Sequence, residues 1–360
     1  MVAKGRRRAG TAVFTFLRRN VVVCTAGFLS LLGPLLAGEQ LNPQANDFPF
    51  LKPWFEMRAR ERETLLERGV VVRILPADNR DIRVIAACAL RITPAAFVAR
   101  VRAAGDVKRT ELSAGRFSEP PAIDDLATLS LDQSDIDRIG LCRPGDCRFN
   151  MADEEMSMLQ GAFATRANVS AAEGQQAFRR LVLNRVTRYL SGGLDALPDY
   201  HDRPDPVRPD VVFARLMQRS PYLTTHVPDV AAFLQGPPTA EIAGAESLLL
   251  WSKVVMNKKP VVMVTHLGIF RPQANAETPS VLVVAKQVYA SRYMDGELNL
   301  TMLFEGANGS PSYLVHVRRS DVDTLGGRFA WLKRAAIEGG VKAEAAKGLA
   351  ALRDRLESKP

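Results

Sequence analysis

Histidine and cysteine are scarce in this chain, four of each among 360 residues, and that scarcity removes most site chemistry at the outset. No serine sits in a Gly-x-Ser-x-Gly elbow, so the strained strand-to-helix nucleophile has no candidate. Neither a phosphate-cradling glycine loop nor a dinucleotide fingerprint occurs. Internal repeats and low-complexity tracts are absent as well. His201-Asp202 beside Asp199 offers isolated metal donors, but the surrounding prolines place them in a loop. The motifs therefore predict no catalytic residue, no metal site and no cofactor.

What is present begins with a basic stretch, Lys4, Arg6, Arg7, Arg8, Arg18 and Arg19, running into the apolar segment from Val21 to Ala37. Charge followed by hydrophobe followed by polar text is the order of a secretion signal, and it predicts an export signal over residues 1–38. Arg18-Arg19-Asn20-Val21-Val22 resembles the twin-arginine pattern, and ordinary signals also carry twin basic residues, so both routes stay open. Ala37 suits the last position before a cut, whereas Leu35 is larger than a good site wants. Without cleavage the segment becomes an inner-membrane anchor with its arginines cytoplasmic. On either reading the body of the protein is periplasmic or otherwise outside the cytoplasm.

Residues 1–40 hold six basic side chains and one acid, carrying +5 of the formal +9 and leaving +4 for the rest. That excess is mild, and no dense Lys/Arg stripe with interleaved aromatics appears, which excludes a nucleic-acid footprint. A weak attraction to anionic lipid headgroups, and so some membrane association, is compatible with it. Cys142 and Cys147 flank Arg143-Pro144-Gly145-Asp146, whose turn formers bring the thiols together. In an oxidising compartment this spacing predicts a local disulfide, worth about 2 kcal/mol for so small a loop. Cys88 reads as a buried structural thiol.

Residues 39–68 read as a polar linker followed by a short helix ending at Gly69, and 69–360 as one α+β domain. Two strand-like runs, 70–75 and 82–92, share a hairpin turn, and Thr93-Pro94 caps a helix over 95–104. Residues 106–205 change character and read as an insertion. Within it, Phe178, Leu181, Val182, Val186 and Tyr189 recur at helical spacing over 170–190. A further helical stretch covers 211–216. Strands follow at 247–254, 261–270, 281–293, 297–304 and 313–318, and their short connections predict antiparallel pairing. Helical sequence from 328 to 357, interrupted at Gly339-Gly340, closes the chain with Leu349, Leu352 and Leu356 on its buried edge.

This order resembles the helix-grip fold of the StAR-related lipid-transfer and polyketide-cyclase superfamily (START, SRPBCC). The run from Ile82 through Thr93-Pro94 to Val98 is similar to that superfamily's first strand entering a proline-started helix. Arg328 to Arg334 and Leu352 to Glu357 are similar to its closing helix. The resemblance implies an antiparallel sheet around a long C-terminal helix, with a tunnel between them for a hydrophobic ligand such as a lipid, sterol or polyketide. It transfers no functional residue, because the superfamily has no shared catalytic signature. The Cys142–Cys147 loop and the Tyr289-Ala-Ser-x-Tyr293 strand also resemble an exported bacterial family of unassigned function.

Ligand-binding candidates come from polar residues on apolar strands. Alternation puts His266 on one face with Val262, Val264 and Phe270, either as a cavity-facing donor or as a core histidine bonded to a backbone carbonyl. Gln287, Tyr289 and Ser291 share one face of their strand, and Lys286 and Arg292 share the other with Val284 and Val288. A buried Lys286 or Arg292 needs a carboxylate, for which Glu246, Asp295 and Glu297 are available. Trp251 and Lys253 fall on a common face, and Tyr293 ends the polar-aromatic strand. The expected function is binding of a hydrophobic ligand without chemical change. A cyclase- or hydrolase-like enzyme using His266 in the same cavity, and an envelope interaction module docking through the helix at 170–190, are the rivals.

Overall fold

Valine, leucine, threonine and aromatic residues dominate the chain from Glu246 to Val322, and that composition suits a pleated, half-buried surface. A computed structural model describes residues 48–77, 80–103, 113–164, 171–238, 244–256, 258–272, 278–306, 310–325 and 330–358. The expected export signal lies outside the described residues. Five consecutive strands, β4 (Glu246–Met256), β5 (Lys259–Phe270), β6 (Val281–Ala290), β7 (Met294–Phe304) and β8 (Ser312–Val322), form an antiparallel meander. The hairpin of β1 (Val70–Leu75) and β2 (Asp81–Leu90) joins through β2 to β8, and β3 (Ser113–Arg116) closes the far edge against β4. The result is an eight-stranded open sheet in the order β1-β2-β8-β7-β6-β5-β4-β3.

Both faces of this sheet are occupied, which is why β2 reads as an unbroken apolar run from Val84 to Leu90. Ala86, Cys88 and Leu90 point to one face. There they meet Phe97 and Val98 of α2 (Pro94–Arg102) and Leu349 and Leu356 of α9 (Ala330–Glu357). Ile85, Ala87 and Ala89 point to the other, into the main core. That core is roofed by α3 (Gln133–Gly140), α4 (Asp153–Ala164), α5 (Ala171–Gly192), α6 (Pro209–Gln218), α7 (Pro221–His226) and α8 (Pro228–Gln235). Residues 39–68 were expected to be linker and short helix. From Phe48 onward they pack into this core, with Phe48, Phe50 and Leu51 fully buried, before the helix α1 (Ala59–Leu66).

Four details depart from the sequence reading. Helix α9 runs unbroken through Gly339-Gly340, because its leucine edge on β1 and β2 outweighs the roughly 1 kcal/mol that each interior glycine costs. Strand β6 stops at Ala290, and Tyr293 at φ 70° turns the chain directly into β7. Strand β3 was not expected, since Ser-Ala-Gly-Arg has no strand composition. Its Gly115 is demanded by contact, as a Cβ there would lie 2.5 Å from the Trp251 ring nitrogen. Asp135 on α3, one of three aspartates clustered at 132–137 where a solvated face would be expected, is buried and pairs with Arg292 at 3.1 Å.

The expected disulfide is present. Cys142 and Cys147 are joined with their Cα atoms 4.6 Å apart, around Gly145 at φ 78°. Backbone bonds from Gly145 N–H to the His201 carbonyl and from Cys147 N–H to the Asp202 carbonyl tie this loop to the 201–202 segment.

Candidate functional site

Six of the eight residues singled out in the sequence lie on the helix-roofed face. Trp251 is buried and donates its ring N–H to the Asp125 carbonyl at 2.8 Å, anchoring the turn at Ile123–Leu126. Lys253 caps the Ser130 carbonyl at 3.0 Å. Arg292 stacks over Phe149 at 4.0 Å while pairing with Asp135. These three fasten the roof to the sheet.

His266 and Lys286 are brought together, facing each other across β5 and β6. His266 is bonded at Nδ1 to the Tyr189 hydroxyl of α5 and at Nε2 to the Ser247 hydroxyl of β4, each at 2.6 Å. Neither sequence alternative, cavity donor or carbonyl-bonded core histidine, describes this ring, which is held between two side-chain hydroxyls. Lys286 donates to the Leu234 carbonyl at 2.8 Å and lies over the rings of Tyr189 and Phe213. The carboxylates available to it are engaged elsewhere: Glu246 with Arg102, Asp295 with Arg80 and Arg203, Glu297 with Arg318. Burial lowers the Lys286 pKa to about 8, and burial with the Lys286 charge lowers that of His266 to about 3.

Those values decide what the cluster can do. A histidine that takes a proton from serine needs its imidazolium stabilised, normally by a carboxylate behind it. Here Tyr189 stands in that place and a lysine opposes the charge. The chain Ser247–His266–Tyr189 therefore has the connectivity of a nucleophile relay but a weak base, and as geometry it straps β4 and β5 to α5.

A β-bulge explains where Tyr289 goes. Val264 pairs with Tyr289 while Thr265 pairs with Gln287, so Val288 is an extra residue in β6. Strict alternation put Lys286 and Tyr289 on opposite faces; the bulge turns both toward the roof. Gln287 faces the other way, with its amide donating to the Met294 carbonyl, and the half-buried Tyr293 packs beside Met294 on that side. Tyr289 lies against Arg185 of α5 and Tyr200, whose rings sit 4.6 and 4.9 Å from the guanidinium carbon.

The face beside α9 is different. Helix α9 packs over β1 and β2, and farther across the sheet one register row stays half-exposed: Leu248, Leu267, Ala285, Asn299 and Arg318, paired in succession from β4 to β8. Thr265 and Thr301 flank that row and are also half-exposed. Its β4 end is apolar. At its β8 end Glu297 pairs with Arg318 at 2.5 Å, and Thr301 bonds His316 at 2.9 Å. Burial and the Arg318 charge lower the His316 pKa to about 4, so this end is neutral at physiological pH. The arrangement is a floor with a greasy half and a hydrogen-bonding half.

A concavity of about 380 Å³ opens in the roof between α4 and α5, with Met158, Leu181 and Arg185 among its lining residues. Sequence reasoning missed Arg185, although a signal existed: it falls on the apolar stripe of α5, four residues after Leu181 and four before Tyr189. It also missed the sheet floor, because threonine, asparagine and alanine on strands read as ordinary solvated positions. Among the described residues no group of three or more His, Cys, Asp or Glu side chains is placed to hold a metal ion. His201 instead pairs with Asp153 at 2.7 Å. Comparison with protein-family models, with curated proteins and with solved structures finds no match for this chain.

Proposed function

We propose that this is an exported protein of the cell envelope that binds a hydrophobic small molecule, a lipid, sterol-like or polyketide-like ligand, without changing it. The observation that carries the reading is the half-exposed sheet floor beside α9, apolar at Leu248 and Leu267 and polar at Asn299, Thr301 and His316. An amphiphile laid along it buries its tail against leucine and meets hydrogen-bonding groups at the other end. An open antiparallel sheet with a long C-terminal helix against one face supports the helix-grip reading, in which the ligand lies between helix and sheet. The Cys142–Cys147 disulfide supports an oxidising compartment. Among the described residues no helix is long and apolar enough to cross a membrane, so attachment would fall to the N-terminal segment.

Native mass spectrometry of protein purified from its own envelope tests this. The expected result is a co-purifying lipid near one-to-one that is lost in Ala285→Glu, which puts a charge on the floor. A protein that stays empty after exposure to total envelope lipid overturns the reading.

A second reading, hydrolase-like chemistry, is favoured by the exposed Ser247 hydroxyl held 2.6 Å from His266. It requires His266→Ala to abolish turnover of an ester panel while ligand affinity survives. Absence of turnover in the unaltered protein removes it.

A further inference from the structure

Arg185 is, with Asp135, one of the two most thoroughly buried charged side chains of the roof, 1 % exposed, and only part of its donor set is used. Its Nη2 donates to Glu155 at 2.5 Å, whereas Nε and Nη1 have no hydrogen-bond partner among the described residues. The rings of Tyr200 and Tyr289 hold the guanidinium from two sides and keep it from swinging away. It lines the concavity between α4 and α5 together with Met158, Leu181, Asn184 and Thr187. A buried donor without a partner in the lining of a groove calls for an explanation, and a ligand that completes it is one.

The surrounding charge narrows the ligand. Glu155 already neutralises Arg185 and is fixed by a second bond, accepting from the Ala152 N–H at 2.8 Å. At the rim Arg188 is likewise paired with Glu154 at 2.8 Å. No net positive charge remains to hold an anion, and an incoming carboxylate would place two negative groups on one desolvated guanidinium. An uncharged acceptor oxygen meets the free N–H groups without that repulsion.

We propose that the α4–α5 groove is a second binding site, separate from the sheet floor, for a neutral amphiphile recognised through one acceptor oxygen, an alcohol, ester or amide, at Arg185. The apolar part of the ligand lies along Met158 and Leu181. The site selects against free fatty acids, which share the tail but bring a charge.

Matched probes of equal chain length test it: decan-1-ol against decanoate at about pH 8, where the acid is ionised, titrated into the full chain by calorimetry. Decan-1-ol is expected to bind at least roughly tenfold tighter than decanoate. Met158→Glu, a rim change at a side chain 39 % exposed and so safe for folding, is expected to abolish decan-1-ol binding. Ala285→Glu on the sheet floor is expected to leave it unchanged. Equal or tighter binding of decanoate overturns the proposal. So does binding that survives Met158→Glu, or binding that disappears in Ala285→Glu, which would move the ligand to the floor. Binding of neither probe removes the groove as a site and leaves the sheet-floor reading standing, since that rests on lipid carried from the envelope.

Discussion

The two faces of one sheet handle buried polarity in opposite ways. Beside α9, polar groups pair with neighbours on the adjoining strand or two residues along: Thr301 with His316, Arg318 with Glu297 and Ser320. Thr301, His316 and Arg318 are half-exposed, while Glu297 and Ser320 are buried beside them. Under the helical roof, Arg185, His266, Lys286 and Arg292 are all buried and depend on partners from distant segments, Glu155, Tyr189, Leu234 and Asp135. The first face carries the half-exposed row proposed above as the ligand floor. The second is costly to build and costly to disturb, because removing one partner strands the other in a low-dielectric interior. The proposed floor site lies on the first face, while the buried pairs of the second tie the helices to the sheet.

The largest expected effect tests that asymmetry directly. Arg185→Met leaves Glu155 buried without its counter-charge, and urea unfolding should show a loss of about 3–5 kcal/mol. Leu349→Ala, on α9, removes apolar packing alone and should cost about 2–3 kcal/mol. Pairing Arg185→Met with Glu155→Gln should recover much of the first loss, since the stranded charge is gone while the bond to Ala152 N–H can persist. If the double substitution is as unstable as Arg185→Met alone, the cost is packing around Tyr200 and Tyr289, and the contrast between the faces fails.

Lys286 sharpens the comparison with the opposite sign. It is buried with a carbonyl and two rings for company. Its folded pKa near 8 lies below the ordinary 10.5, so between these values the unfolded chain holds the proton and the folded chain does not. Stability therefore rises with pH across 8 to 10.5, and the burial penalty is fully present below pH 8. At about 1.4 kcal/mol per pH unit, that penalty is at most about 3 kcal/mol. Lys286→Met should accordingly stabilise the protein at pH 7 by about 1–3 kcal/mol and flatten the rise above pH 8. His266 acts at the acid end. Its folded pKa near 3 lies below 6.5, so stability is lost as pH falls through that window. Thermal unfolding across pH 4 to 10 on the two proteins reads both limbs. Destabilisation by Lys286→Met at pH 7 would mean that the ammonium has a stabilising partner.

Which face was legible in the sequence follows from the same contrast. Strands β4 to β8, their antiparallel pairing, the β1–β2 hairpin, the proline-started α2 and the terminal α9 all rest on local composition and turn chemistry, and each is present. The disulfide was legible for the same reason, its partners being five residues apart. The roof was legible only at α5 and α6. Its helices α3, α7 and α8 span eight residues or fewer, and their apolar positions interleave with aspartates and prolines. Its ion pairs join residues far apart in the chain, such as Arg292 with Asp135. The bulge at Val288 defeated period-two reasoning for Tyr289, because one extra residue reverses the alternation that follows it in β6.

The smallest expected effect separates two tyrosines that composition cannot tell apart. Tyr189 and Tyr289 are both fully buried under the roof. The Tyr189 hydroxyl bonds His266, so Tyr189→Phe strands a buried ring nitrogen and should cost about 1–2 kcal/mol. The Tyr289 hydroxyl has no partner among the described residues, so Tyr289→Phe removes a desolvated polar atom while keeping the ring that holds Arg185, and stability should stay level or rise by up to about 1 kcal/mol. Urea midpoints measured side by side give the sign. Equal losses in the two variants would show that the Tyr289 hydroxyl is satisfied, through water or a retained ligand. The Arg185 end of the roof would then be a closed network like that around His266, with no spare capacity for recognition.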